Sequence, residues 1–292
     1  MIAEKFVLGT AQLGMPSYGI SRDCSQPTDP FDILYEAEST GISLVDTAAS
    51  YGDCENIIGA YLKNRPGSQL RIISKLSPNT PLANQNSVRD AVAASAEKVG
   101  RKLESFLVHD STMLYRWDGP LGEGLQRAVQ DGLTEKLGVS VYNTREFDTA
   151  LAIDAMTHIQ APFNVLDRRL LAGERLTVAK RAGRTVQLRS VYLQGLLVMK
   201  ELSPAMNFAR LAWQGFQDVC RKFGVRPHAA AVAWVLDQAA GCSLVMGCDN
   251  ASQLHENVGL LSAPGVSAEC LSALKALPPA DEHVINPFLW PS

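Results

Sequence analysis

Leu44-Val-Asp-Thr-Ala-Ala-Ser-Tyr-Gly-Asp-Cys-Glu55 is the stretch from which the fold can be read. Its first residues form a short apolar run, the pattern of a buried strand, so Asp46 lies near a strand end. A small-residue segment leads to Tyr51-Gly52 in a loop, and Glu55 opens a periodic run, Ile57, Ile58, Tyr61, Leu62, that reads as a helix. Two further strand-like runs end in chemistry, Ile72-Ile-Ser-Lys75 and Phe106-Leu-Val-His109. In a parallel barrel, consecutive strand ends meet at one rim, where catalytic groups collect. Asp46, Tyr51, Lys75 and His109 at one rim would make a proton-transfer set.

Working outward, the order strand then helix repeats. Short apolar or β-branched runs predict strands at 5–11, 44–49, 71–76, 105–110, 136–142, 158–163, 185–191 and 243–248. Helical periodicity predicts helices at 30–40, 54–64, 87–102, 119–131, 144–154, 169–182, 208–223 and 228–240. Proline near the first helical position marks two of these starts, Asp29-Pro30 and Arg226-Pro227. Eight alternating units make an α/β chain and favour a parallel sheet closed into a (β/α)8 barrel. The competing arrangement is an open doubly wound sheet. Against it, Gly9-Thr10-Ala11-Gln12-Leu13-Gly14 only superficially matches the G-x-G-x-x-G turn such a fold would carry. Extra helices are expected near 250–261 and 267–277. The tail from Pro278 to Pro291 is too rich in proline for regular helix, and either folds over the barrel mouth or packs on the surface. Residues 197–207 read as a loop over the mouth. With no linker or low-complexity tract, residues 1–292 are expected to form a single barrel domain.

Composition sets bounds. The 292 residues exceed the ~250 that an eight-fold barrel needs. A net charge of −3 gives no bulk attraction to nucleic acid or an anionic membrane. No apolar run approaches the ~18 residues of a membrane helix, and Met1-Ile-Ala-Glu-Lys5 has no signal-peptide pattern, so a cytoplasmic location is expected. The six cysteines form no CxxC pair and no metal-ligand spacing, so neither a metal site nor disulfides are expected.

Together, Asp46-Thr47-Ala48, Tyr51-Gly52, Glu55, Lys75 and His109 resemble the active site of the aldo-keto reductases, and the similarity runs from Leu8-Gly9-Thr10 to Glu256-Asn257. The resemblance implies an enzyme that reduces an aldehyde or ketone, sugar-like carbonyls included, by hydride transfer from NADPH or NADH. Tyr51 would be the general acid. A free phenol titrates near 10, too high for efficient proton donation at neutral pH, and a cation ~4 Å away at an effective dielectric of ~20 is worth about 4 kcal/mol. Lys75 would be that cation, fixed by Asp46, and His109 would orient the carbonyl.

Other residues match the family's cofactor site less evenly. Ser140 and Gln160 resemble its carboxamide-binding serine and glutamine, whereas Val141 stands where asparagine is usual, which implies that one carboxamide contact is missing. Arg189 stands where the family has an aromatic ring stacked on the nicotinamide. A guanidinium can stack by its plane but adds charge. This implies either an anionic group on substrate or cofactor pyrophosphate, or an ion pair with Asp167 or Asp46. The pattern Arg189-Ser190-x-x-Leu193-Gln194-Gly195 resembles reductases of sugar and surface-polysaccharide metabolism. Gly9, Thr10, Ala11, Ser190, Leu193, Gly195, Gly247, Asp249, Asn250, Gln253, Glu256 and Asn257 complete the expected cofactor site. In the last stretch the family's phosphate-binding cations are missing, and Asp249 would repel an adenosine 2′-phosphate while accepting from a ribose hydroxyl. Two other functions stay open on the sequence alone: a Schiff-base aldolase or lyase acting through Lys75, and a non-catalytic nicotinamide-binding sensor.

Overall fold

A computed structural model describes residues 5–15, 19, 29–263 and 265–291. Eight parallel strands close on themselves in chain order, with β1 (Phe6–Gly9) paired to both β2 (Leu44–Asp46) and β8 (Ser243–Gly247). Between them lie β3 (Arg71–Leu76), β4 (Leu103–Val108), β5 (Thr134–Ser140), β6 (Met156–Pro162) and β7 (Thr185–Arg189). Closure settles the choice between barrel and open sheet in favour of the barrel.

The surrounding helices are α1 (Pro30–Ser39), α2 (Cys54–Asn64), α3 (Gln85–Val99), α4 (Gly122–Gln130), α5 (Thr144–Ala152), α6 (Arg175–Arg181), α7 (Arg210–Phe223) and α8 (Pro227–Gln238). Two more follow the barrel, α9 (Ala251–Ser262) and α10 (Ala268–Ala276). Several begin at residues whose side chains satisfy the first free backbone donors. Asn84 accepts from the Ser87 amide. Asn143 accepts from the Glu146 amide while Glu146 reaches back to the Tyr142 amide, a reciprocal cap. At the other end of the fold, Arg168 donates to the Leu274, Lys275 and Leu277 carbonyls where α10 finishes.

Some sequence expectations are corrected. The helix expected over 169–182 is broken: Arg169–Glu174 is 3-10 in character, and only Arg175–Arg181 is α-helical. Gly173 and Glu174 have positive φ, 67° and 51°, which an α-helix does not accommodate. The start of the segment expected over 208–223 is likewise a 3-10 turn, Pro204–Ala209. The tail does contain one turn of helix, Glu282–Ile285, between its proline pairs. Much of the segment 14–28, between β1 and the helix that begins at Pro30, lies outside the described residues.

The main core fills the space between barrel and helices, and a smaller apolar plug of Val7, Ile73 and Leu107, with Leu44 and Val245, fills the interior. Side chains alternate along a strand. Two residues on from each plug residue, the same inward face therefore presents Gly9, Asp46, Lys75, His109 and Gly247 at the C-terminal mouth.

Candidate active site

The loop carrying Tyr51 is set by close backbone packing. A side chain on Gly52, which has φ 57°, would meet the Gly14 carbonyl oxygen at 2.3 Å, and one on Gly14 would meet the Tyr51 carbonyl oxygen at 2.2 Å. The turn after β1 and the loop after β2 thus touch backbone to backbone. Thr10 ties the same strands, donating its amide and hydroxyl to the Asp46 carbonyl at 3.0 and 2.9 Å. Behind the loop, the buried Glu55 accepts from Ser74 at 2.6 Å and pairs with Lys98 at 3.3 Å, docking α2 onto β3 beside Lys75.

Lys75 has no exposed surface. Its Nζ donates to Asp46 Oδ2 at 2.6 Å and to the Thr47 carbonyl at 2.9 Å. Asp46 Oδ1 accepts from Gln160 Nε2 at 2.8 Å, so both carboxylate oxygens have donors. Lys75 Nζ lies 5.0 Å from the Tyr51 ring centre, and the Tyr51 and His109 rings meet edge to face at 5.6 Å. The four predicted catalytic residues are thus brought together at one rim. Ser50 Oγ lies 3.1 Å from His109 Nδ1.

The electrostatics differ from the sequence expectation. Burial, then the Asp46 carboxylate, push the Tyr51 phenol well above its usual value, and the cation that opposes them is Arg189. Lys75 is already engaged by Asp46 and Thr47. His109 is pushed down to about 4, by burial and then by the Lys75 ammonium, so its imidazole is neutral at ordinary pH.

Arg189 makes no ion pair with Asp167 or Asp46, contrary to one of the two alternatives above. Asp167 is bound by Arg169 at 2.8 and 2.7 Å, and Asp46 by Lys75 and Gln160. Arg189 instead donates to the Val141 carbonyl at 3.0 Å, and its guanidinium lies 4.3 Å from the Tyr142 ring centre. Tyr142 in turn meets Phe288 of the tail at 5.1 Å. The tail therefore reaches the rim, through a ring stack that ends on Arg189.

A cleft of about 700 Å³ runs from these residues across the mouth to α9. Of the expected cofactor residues, Gly9, Thr10, Ala11, Gln160, Arg189, Ser190, Gly195, Gly247, Asp249, Gln253, Glu256 and Asn257 line it. Three do not: Ser140 is buried at the end of β5, Leu193 packs in the core, and Asn250 caps α9 by accepting from the Gln253 amide at 2.9 Å. The loop after β7 is strained, with positive φ at Ser190, Leu193 and Gln194. Tyr192, Gln187, His228, Ser50 and Tyr142 belong to the site or its supports and escaped sequence reading. Gln187 alone left a signal, the alternation Gln187, Arg189 along one strand face.

The cleft suits a nicotinamide dinucleotide. Gly9 and Gly247 pair across β1 and β8 and bring no side chains to its floor. Arg189 Nε is buried without a partner among the described residues.

Comparison with known proteins bears on the family and the fold. Residues 5–277 match the model of the aldo/keto reductase family. The chain is 25% identical over 269 residues to an NADH-specific methylglyoxal reductase of Escherichia coli, covering 79% of this chain and 82% of that protein. It is 26% identical over 281 residues to a 6-dehydroglucose reductase of Agrobacterium fabrum, covering 87% and 89%. The holo form of an aldo-keto reductase from Bacillus halodurans superposes with a TM-score of 0.77 at 19% identity, covering 96% and 95%. Sequence and fold together make this chain a member of the aldo/keto reductase family, an NAD(P)H-dependent oxidoreductase acting on small carbonyl compounds.

Proposed function

We propose that this single-domain enzyme reduces small polar aldehydes and ketones, sugar-like ones included, with Tyr51 as general acid and NADH as the preferred cofactor. The observation that carries the reading is the juxtaposition of Tyr51, His109 and the buried Lys75–Asp46 pair at the head of the cleft. When bound, the nicotinamide supplies the hydride.

The protein supplies orientation and the proton. With Ser50 donating to His109 Nδ1, the neutral ring keeps its proton on Nε2 and can donate it in a hydrogen bond to the substrate carbonyl oxygen. Tyr51, held protonated by its surroundings, transfers its hydroxyl proton to that oxygen as negative charge develops. Lys75 and Asp46 fix the polar floor beneath it. Arg189, backed by Tyr142, offers a flat cation against which a nicotinamide ring can stack. The Schiff-base alternative fits poorly, because Lys75 Nζ is enclosed by Asp46 and Thr47 and no carbonyl can reach it.

NADH preference rests on the far end of the cleft, which is lined by Asp249, Gln253, Glu256 and Asn257. At that end the Asp249 amide donates to Gln253 Oε1 at 2.8 Å, and Arg226 is turned onto Glu256. The name of the Escherichia coli relative points the same way. Tyr51→Phe tests the acid: reduction should fall at least ~100-fold while cofactor affinity stays within about twofold. Turnover near that of the parent enzyme would sink the assignment. For the cofactor, dissociation constants at low salt should favour NADH, and Asp249→Arg should move the ratio toward NADPH. NADPH binding ~100-fold tighter to the parent protein would refute the preference.

A further inference from the structure

Below the catalytic rim, the barrel interior holds polar side chains that proton transfer does not use. Gln187 of β7 and His158 of β6 are 1% and 2% exposed, and Gln160 and Gln187 are paired neighbours across the two strands. Buried amide groups left without partners are destabilising, so the destination of each hydrogen matters.

The hydrogen-bond directions around Gln160 are set by Asp46. A carboxylate only accepts. Asp46 takes Lys75 on Oδ2 and Gln160 Nε2 on Oδ1, so Gln160 must turn its amino group toward Asp46. The second hydrogen of that group goes to Gln187 Oε1 at 3.4 Å. The carbonyl oxygen of Gln160, which lines the cleft, is therefore the end left for a ligand. Gln187, whose oxygen accepts from Gln160, is also hydrogen-bonded to His158, a contact that favours the protonated imidazole. Burial outweighs that contact and pushes His158 down to about 4, so its ring is neutral at ordinary pH. Its Nε2 has no partner among the described residues.

We propose that Gln187 is a positioning residue: with Asp46 it locks the Gln160 amide so that its oxygen, and not its amino group, meets the amino group of the nicotinamide carboxamide. This rests on the reading of the cleft as the nicotinamide site. With Val141 in place of the family's asparagine, Gln160 carries more of the carboxamide recognition, and its orientation matters correspondingly.

The test uses binding to the full-length protein rather than turnover. Dissociation constants are measured for NADH, for the reduced 3-acetylpyridine analogue, in which a methyl replaces the carboxamide amino group, and for ADP-ribose, which lacks the ring. The parent protein should prefer NADH to the analogue by about tenfold, the scale of one hydrogen bond. Gln187→Met, similar in size but without an acceptor, should reduce that preference below about threefold and leave ADP-ribose affinity unchanged. Gln187→Glu should restore it, because a buried, protonated glutamic acid offers the same carbonyl acceptor toward Gln160. Should Gln187→Met fail to fold, Gln187→Asn, which withdraws the acceptor by one methylene, carries the same expectation. A variant that retains the full preference, or a parent protein that binds NADH and shows none, overturns the assignment of Gln187. If the parent binds ADP-ribose but gains nothing from the nicotinamide, or binds no dinucleotide, the reading of the cleft itself falls.

Discussion

Asp46 is the acceptor on which the polar floor converges, and its environment makes Lys75 a sensitive position. Lys75→Met would leave a buried carboxylate with only Gln160 for a partner, at a cost of about 3–5 kcal/mol. The double variant Lys75→Met/Asp46→Leu removes the stranded charge and should unfold at higher denaturant than the single variant while remaining inactive. Denaturant midpoints for the two proteins check this; equal midpoints would mean that the ion pair contributes little. At this scale the sequence was informative because Asp46, Lys75 and His109 each terminate or follow an apolar run, and strand ends meet at one rim. It did not reveal which way Tyr51 shifts. That depends on the balance of burial against charges, and on the 5.0 Å between Lys75 Nζ and the phenol ring centre. Nor could it tell which aspartate Arg189 would meet, since Asp167 turned out to be held by Arg169 two residues along the chain.

At the scale of elements, the fit between α2 and α3 is tightest at Gly59, where a methyl group would sit 1.9 Å from the Lys98 carbonyl oxygen. Gly59→Ala forces the helices apart and should cost about 1–3 kcal/mol, read as a fall in melting temperature. Because Glu55 docks the same helix onto β3 one residue from Lys75, the turnover of Gly59→Ala should also fall. Helix positions were legible where proline marks the first turn ahead of an apolar period, as at Pro30 and Pro227. They were misread over 169–182, where Leu170, Leu171 and Leu176 keep an apolar period through a backbone that Gly173 and Glu174 turn aside. Periodicity records which side chains are buried, and a kinked segment can bury the same ones.

For the whole molecule, the eight-fold repeat was visible in the chain and favoured a closed barrel, which the pairing of β1 with β8 bears out. The acid stability of the fold follows from its buried imidazoles. His109 and His158 fall from an ordinary 6.5 to about 4, and His228 is also lowered, each chiefly by burial. An unfolded chain takes up these protons first. The stabilising contribution is therefore complete above about pH 6.5 and is lost as pH falls toward 4, each proton being worth about 1.4 kcal/mol per pH unit. Urea midpoints measured from pH 7 to pH 4 should decline, with an uptake on unfolding approaching two protons or more. His158→Phe, which removes one of them, should flatten the decline.

The ring stack from Phe288 through Tyr142 to Arg189 bears on how the protein is made and handled. Phe288 is 76% exposed, so it rests on Tyr142 without being locked there. An affinity tag or fusion partner attached after the tail would pull on that contact, whereas one attached before residue 1 would not. Preparations tagged at opposite ends should differ in Michaelis constant while melting at the same temperature, and Phe288→Ala should reproduce the difference without any tag. Assay results from C-terminally tagged enzyme would then describe a protein whose Arg189 has lost part of its backing.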